Sequence, residues 1–472
     1  MKNLNWILGS MLSWIFITHP SNFYGQNDPD LQTQLDHYLA VQQQRIGFSG
    51  VVLISDANGI LAQSAIGKAS LELDVPMSME HKFKIASMSK SFTGLLLSLA
   101  EQEGKLKLSD SLARFFPQLE DPSWRQITLT QLLGHTSGVP HWAGMQDYWT
   151  VKTNLSLSPD QILEAIFQMD LLFPPGSQSA YSSPAYYLLA VVLEQVYQSR
   201  YETLLREKIV APLSLINTQV CDGRAIIPGL CEGYHLLNDD SLVQAPYRNM
   251  AMMKGGGNLY SDARDVNQWC RSFLDAETWG ADIQTRSLQA VSDMPMPHKK
   301  GDRYARGWYI RGSNQRGPWA YHIGGGTYGF SSKAAIYPDS KLSLVILSNV
   351  SFLPMDDVLW RDLEKLAFKQ AFRMPAAFPD VVQLSPHTLS EYAGIYRANN
   401  GRTLQLLFHQ NQLFAKLGPA PPFQIYAYGH DVLFGKKVEV RFRFLRDEAG
   451  QLHALETRFK GREDHFVKEL AK

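Results

Sequence analysis

Only one serine in the chain is followed three places later by a lysine. The pair is Ser87 and Lys90, in Phe83-Lys84-Ile85-Ala86-Ser87-Met88-Ser89-Lys90. The residues beyond it, Phe92, Leu95, Leu96, Leu97 and Leu99, predict a helix buried on most sides. Positions i and i+3 share a helical face, so the lysine amine reaches the serine hydroxyl. At a helix N-terminus the dipole and the free N–H groups favour a developing alkoxide or oxyanion. A lysine held in such a dry, dipole-biased place gives up its proton and acts as a base, which makes the serine a nucleophile for acyl transfer. An ordinary exposed serine and lysine at a helix start fits the same spacing, so the pair needs support from elsewhere in the chain.

Two further segments supply that support. Ala180-Tyr181-Ser182-Ser183 is preceded by Phe173-Pro174-Pro175-Gly176 and followed by the apolar helix predicted over Ala185 to Val196. His322-Ile323-Gly324-Gly325-Gly326 stands at the end of a predicted strand and leads into Tyr328-Gly329-Phe330-Ser331-Ser332. In this order and at these separations, the three elements resemble the serine beta-lactamase and D-Ala-D-Ala peptidase superfamily. The resemblance is to its class-C-like branch, which also contains esterases and D-amino-acid peptidases. Leu132-Leu133-Gly134-His135-Thr136-Ser137-Gly138, Ala211-Pro212-Leu213, Gly255-Gly256-Gly257 and Ser261-Asp262-Ala263-Arg264-Asp265 look like the same branch, so the likeness runs over roughly residues 30 to 370.

The resemblance implies a role for each matching residue. Ser87 is the acylated nucleophile and Lys90 takes or shares its proton. Tyr181 is the partner base that also protonates the leaving group. The N–H groups of Ser87 and Gly325 form the oxyanion hole, and Ser183, His322 and Gly324 contact substrate. It implies no cofactor and no metal. Two departures bear on the substrate. Ser183 stands where the branch usually carries asparagine, whose amide both donates and accepts. His322 stands where penicillin-recognising members carry a lysine that supports binding of a carboxylate. A histidine is shorter and largely neutral at neutral pH, so carboxylate recognition is weakened or made pH-dependent. The reading is therefore a serine hydrolase acting on a small peptide, amide or ester, including cell-wall peptides, rather than an efficient beta-lactamase. The alternative is a catalytically weak relative that binds peptides or assembles with partners.

Other readings of these residues are weaker. Gly324-Gly325-Gly326-Thr327-Tyr328-Gly329 fits the dinucleotide fingerprint, but that loop must open a helix and Ser331 to Ile336 predicts a strand. There is no G-x-S-x-G elbow of the alpha/beta-hydrolases. His135 sits in a loop motif with a structural look. Tyr186 and Tyr187 fit a core, while Trp308 and Tyr328 fit either a core or the cleft. With no C-x-x-C or H-E-x-x-H pattern, no dedicated metal site is expected.

The elements that must position these residues follow from pattern. Asp30 to Ile46 predicts an amphipathic helix, and Phe48 to Ser55 with Ile60 to Ile66 predict two strands around a turn. Residues 87 to 290 are mostly helical, and strands return at Arg306 to Arg311, Trp319 to Ile323, Ser331 to Ile336 and Leu342 to Leu347. The fold class is α/β of the α+β kind: an antiparallel sheet built from both ends of residues 28–373, flanked by helices, beside an all-helical lobe. A Pro-containing linker is placed at 374–386. Residues 387–472 predict a small all-β unit, with strands such as Leu404 to Phe408, Gln412 to Lys416 and Val438 to Phe444. Its opening, Leu389 to Tyr396, resembles the small lipocalin-like barrel attached to hydrolases of this branch.

Composition bounds the rest. Of 472 residues, 45 are basic and 45 acidic, so there is no basic excess to hold nucleic acid or an anionic membrane. Lys2 followed by an apolar run from Trp6 to Ile17 predicts a signal peptide over 1–25 and an exported protein. That run is too short for the roughly 20 residues of a stable membrane span. The three cysteines are too few for a disulfide scaffold. Cys221 and Cys231 flank a loop and have the option of pairing, whereas Cys270 fits a core position.

Overall fold

The run Val51-Val52-Leu53-Ile54 is apolar at every position because its strand is covered on both faces. The computed structural model describes residues 29–469, apart from 149, 239–240, 297–301, 312–319, 352, 354, 373, 376–377, 399–400, 418–421, 437, 439 and 460–461. The proposed signal peptide lies outside the described residues. Helix α1 (Pro29–Ile46) leads into β1 (Gly50–Asp56) and β2 (Gly59–Ile66). The Asp56 carboxylate closes the turn between these strands by accepting the N–H groups of Asn58 and Gly59.

Helix α2 (Ser89–Gln102), α3 (Ser183–Tyr197) and α4 (Ala263–Arg271) belong to the long helical insertion. After it come β3 (Arg303–Tyr304), β4 (Tyr309–Arg311), β5 (Ala320–Thr327), β6 (Phe330–Tyr337), β7 (Leu342–Ser348) and helix α5 (Arg361–Ala367). The strands form one seven-stranded antiparallel sheet in the order β3-β4-β5-β6-β7-β1-β2. Val51, Leu53, Val345 and Leu347 join the core beneath α2, α3 and α4. Their alternate neighbours Val52, Ile54, Leu344 and Ile346 pack with Leu35 and Tyr38 of α1 and Leu363 of α5. The period of two along each strand thus feeds two cores.

The expected architecture is present, with local differences. The stretch expected as one strand from Arg306 to Arg311 is broken by Gly307, whose φ is +89°. A Cβ there would lie 2.4 Å from Ser91 Cα, so the chain turns tightly against α2 at a point where only glycine fits. The glycine triad does not follow a strand; it lies within β5, which pairs with β6 as far as Thr327 and Phe330. No helix opens there, which removes the nucleotide reading. The helical insertion also contains short strands, among them Gln219–Val220 and Leu259–Ser261, which pair with each other. Cys221 and Cys231 are separate, buried free thiols, so their optional pairing is not realised. Trp308 is core: it is fully buried and meets the Phe273 ring edge-on.

The segment after α5 packs Phe378 between the Arg45 guanidinium and the Phe434 ring. A short helix, Pro386–Glu391, then enters a closed eight-stranded antiparallel barrel. Its strands are β8 (Gly394–Ala398), β9 (Thr403–His409), β10 (Gln412–Leu417), β11 (Phe423–Gly429), β12 (Val432–Gly435), β13 (Val440–Arg446), β14 (Leu452–Phe459) and β15 (Arg462–Lys468). Closure comes from β8, which pairs with both β9 and β15 and so removes the free edges. Tyr396, Leu406, Phe442 and Phe466 are among the side chains that fill it.

A buried carboxylate pair fixes the start of α4. Asp262 caps the helix by accepting Asp265 N–H, and it also accepts Asn217 Nδ2 at 2.7 Å. Asp265 accepts Asn217 N–H at 2.7 Å and Thr218 Oγ1 at 2.9 Å. Burial, followed by the Asp262 charge, pushes the Asp265 carboxyl up to about 6. A carboxyl raised on folding favours the protonated folded state, so this group's contribution to stability is lost as pH rises from about 4 through 6. The loss is about 3 kcal/mol. Asp265→Asn keeps an acceptor for both donors and has no proton to lose. Thermal melts from pH 4 to 7 are expected to show the variant gaining on the wild type as pH rises; a constant difference across that range would refute a titrating Asp265.

Candidate active site

Ser87 lies in a 3₁₀ turn, Ala86–Met88, that runs directly into α2. Ala86 has φ +45°, an unusual left-handed value for a residue with a side chain, immediately before the serine. Three contacts hold this turn. Ile85 N–H donates to Leu259 O, Ser89 Oγ donates to Ala86 O, and Ser332 Oγ donates to Ile85 O. The result is a half-buried Ser87 side chain at the start of a helix.

Lys90, one turn on, is 0% exposed. Its Nζ lies 3.2 Å from Ser87 Oγ, 3.1 Å from Ser183 Oγ and 2.6 Å from the Gly256 carbonyl oxygen. It also stands 4.8 Å from the Tyr181 ring centroid and 5.5 Å from that of Tyr186. Burial, reinforced by the nearby Arg248 cation, holds the amine well below the usual lysine range. Close glycine contacts make room for this arrangement. A Cβ on Gly256 would come within 3.2 Å of Ser183 O, and one on Gly94 within 2.2 Å of Arg306 O.

Tyr181 precedes α3, and the nearby Ser87 side chain offsets part of the shift of its phenol. Burial pushes the phenol above its ordinary range, so it is protonated at neutral pH. His135, itself at φ +60°, brackets this tyrosine. Its carbonyl accepts Ala180 N–H, its Nδ1 accepts Ser182 N–H at 3.2 Å, and its ring lies 4.5 Å from that of Tyr181. Burial, then Lys90 and His141, keeps the His135 ring neutral. The contacts of His135 thus run to Tyr181 and its neighbours, which makes it a support for the tyrosine.

Gly325 presses edge-on against the turn that carries Ser87. A Cβ at that position would sit 2.4 Å from Ile85 O and 2.7 Å from Ser87 N. Strand β4 pairs with β5 only as far as His322, so the β5 edge beyond it extends past its neighbour beside Ser87. Gly324 is part of that edge. The backbone of His322 pairs with Tyr309 and Ala335, while its side chain lies outside the described residues. The structure thus brings Ser87, Lys90, Tyr181, Ser183 and Gly325 together, with Gly324 adjoining.

Two residues were missed from sequence. His141 Nε2 is 3.3 Å from Ser183 Oγ, and its ring stacks over Tyr181 at 5.9 Å. The buried Arg248 donates to Thr327 Oγ1 at 3.2 Å and to the Tyr148 hydroxyl, and lies 5.4 Å from the Tyr328 ring. His141 follows a proline in a loop, and Arg248 precedes the Gly255 triad by seven residues; neither carries a local signal of its place.

Comparison with known proteins agrees with this geometry. Residues 33–369 match the family described as Beta-lactamase. Penicillin-binding protein 4* of Bacillus subtilis (strain 168) is 23% identical over 419 residues, covering 85% of this chain and 91% of its own length. Among solved structures, the octameric penicillin-binding protein homologue from Pyrococcus abyssi matches with a TM-score of 0.66 at 19% identity, covering 93% of this chain and 100% of that one. The D-amino acid amidase from Ochrobactrum anthropi SV3 matches with a TM-score of 0.59 at 20% identity, covering 68% of this chain and 91% of that one. At these identities the structural matches show the fold alone.

The contact at Gly325 is open to test. Gly325→Ala drives a methyl into Ile85 O and Ser87 N, an overpacking of about 1–3 kcal/mol. Gly326→Ala meets nothing within 4 Å. Thermal melting is expected to separate the two, with Gly325→Ala clearly lower; equal melting temperatures would show that β5 does not press on the Ser87 turn.

Proposed function

Because the chain belongs to the beta-lactamase family of serine hydrolases, we propose that it cleaves a peptide, amide or ester through an acyl-enzyme on Ser87. The observation that carries this reading is the fully buried Lys90 amine 3.2 Å from Ser87 Oγ, held well below its usual range. A neutral amine at that distance is a general base for the hydroxyl at neutral pH.

In the proposed reaction, Ser87 Oγ attacks the substrate carbonyl carbon as its proton passes to Lys90 Nζ. The carbonyl oxygen becomes an oxyanion received by Ser87 N–H and Gly325 N–H. The tetrahedral intermediate collapses with cleavage of the C–N or C–O bond. Tyr181, whose raised phenol favours the protonated form, gives its proton to the leaving group and is reprotonated from Lys90. Water then attacks the ester carbonyl, Lys90 takes its proton, and Ser87 leaves with a proton restored. The Arg248 charge favours the neutral lysine.

The substrate reading is a small peptide or amide, supported by the likeness to a penicillin-binding protein. The short apolar run from Trp6 to Ile17 supports export, which would give access to cell-wall peptides. His322 in place of a lysine argues for poor beta-lactam turnover.

Intact-mass labelling with a fluorophosphonate or a fluorescent penicillin tests the nucleophile. A single adduct on the wild type, absent from Ser87→Ala, is the expected result. No Ser87-dependent adduct on folded protein would leave the peptide-binding relative as the better reading. Lys90→Ala and Tyr181→Phe are each expected to lose at least roughly 100-fold in kcat; near-normal turnover in both would overturn the acid–base roles of these two residues.

A further inference from the structure

The protons around Lys90 can be counted. A neutral amine offers two N–H donors and one lone pair. Its three neighbours are the Gly256 carbonyl, the Ser183 hydroxyl and the Ser87 hydroxyl. The carbonyl only accepts, so it takes one N–H. One N–H and the lone pair remain for two hydroxyls. Lys90 is a base toward Ser87 only when the N–H goes to Ser183 and the lone pair faces the Ser87 O–H. The reverse arrangement, with Ser183 donating to Lys90, fills the lone pair and removes the base.

What selects between the two is the destination of the Ser183 proton. If Ser183 Oγ accepts from Lys90, its own hydrogen must point elsewhere, and His141 Nε2 lies 3.3 Å away. Resting on the serine hydrolase reading, we propose that His141 is a positioning residue for the nucleophile. Its neutral Nε2 accepts the Ser183 proton, which holds Ser183 as an acceptor toward Lys90 and leaves the lysine lone pair aimed at Ser87.

The surroundings keep His141 in that role. Ser182 Oγ donates to Pro140 O at 3.1 Å and accepts Ala185 N–H, which ties the loop before His141 to the first turn of α3. The ring stacks on Tyr181 with planes 21° apart. The charged and titratable groups facing it are Lys90 on α2, Arg248 in the segment before the Gly255 triad, His135 in its own loop, and Tyr181. Burial, then proximity to Lys90 and to the Arg248 cation, pulls its pKa down to about 4, so the ring is neutral at neutral pH and its Nδ1–H tautomer leaves Nε2 as the acceptor. The chain Ser87–Lys90–Ser183–His141 therefore has a direction, set at its histidine end.

The test uses the full chain and a fluorophosphonate. In that reaction a bond forms from Ser87 Oγ to phosphorus, fluoride leaves, and the serine proton passes to Lys90, so the rate reads the lysine as a base without a known substrate. His141→Phe keeps a ring on Tyr181 but cannot accept, and it is expected to label at least roughly 10-fold more slowly than the wild type. His141→Gln, whose amide oxygen accepts the same proton, is expected to stay within about threefold. In a Ser183→Ala background, His141→Phe is expected to cost nothing further. Should His141→Phe melt well below the wild type, His141→Leu takes its place in the same comparison. Wild-type labelling by the non-accepting variant, a glutamine variant as slow as phenylalanine, or additive losses in the double variant would each overturn the proposal. Failure of the wild type itself to label at Ser87 is a different result and would overturn the hydrolase reading instead.

Discussion

Taking the Lys90 amine out of water is the constraint around which the beta-lactamase-like part of this chain is arranged. An ammonium ion there would be stripped of solvent beside the Arg248 cation, so the neutral form is favoured. Burial of that kind needs walls on every side. Helix α2 is enclosed by the sheet, by α3 and by the Phe92–Trp269 stack, whose rings are 4.0 Å apart. The remaining hydrogen-bonding capacity of the amine is met by the Gly256 carbonyl and two serine hydroxyls. An amine held well below its usual range is thereby kept 3.2 Å from the Ser87 hydroxyl.

Close backbone approach is what lets these walls meet. Gly94 and Gly307 allow α2 and the chain before β4 to touch at main-chain distance, and Gly325 lets β5 meet the turn that carries Ser87. Each contact replaces a side chain with backbone at close approach. The strained Ala86 belongs to the same arrangement, because the turn it makes aims Ser87 at the edge of β5. Tyr181 is held from two directions, by hydrogen bonds to the residues on either side of it and by the His135 ring on its face.

The C-terminal barrel closes on a core of its own. It has its own closed hydrogen-bond ladder and its own core around Tyr396 and Phe442. It meets the rest of the chain in part through Phe378, between Arg45 of α1 and Phe434 of the barrel. That contact has no signature in the sequence, since Phe378 lies in a stretch with neither helical nor strand period.

Local pattern in the sequence was enough to place Ser87 beside Lys90 and to read the two-ended sheet and an all-β C-terminal unit, whereas Tyr181 and the glycine triad entered through the family resemblance. Ser87 and Lys90 are readable because one helical turn alone places them together. The strands are readable because each period of two must meet a core. What depends on residues far apart in the chain was decided only by tertiary structure. Gly307 breaks a run that looks like one strand because α2 passes against it. Cys221 and Cys231 flank a loop as a pair would, yet each is buried as a free thiol. His141 joins the site through Ser183, 42 residues away, and Arg248 acts on Lys90 across the fold. Spacing along a helix or strand carries the first kind of information; desolvation and proton direction arise only when distant segments share one enclosed volume.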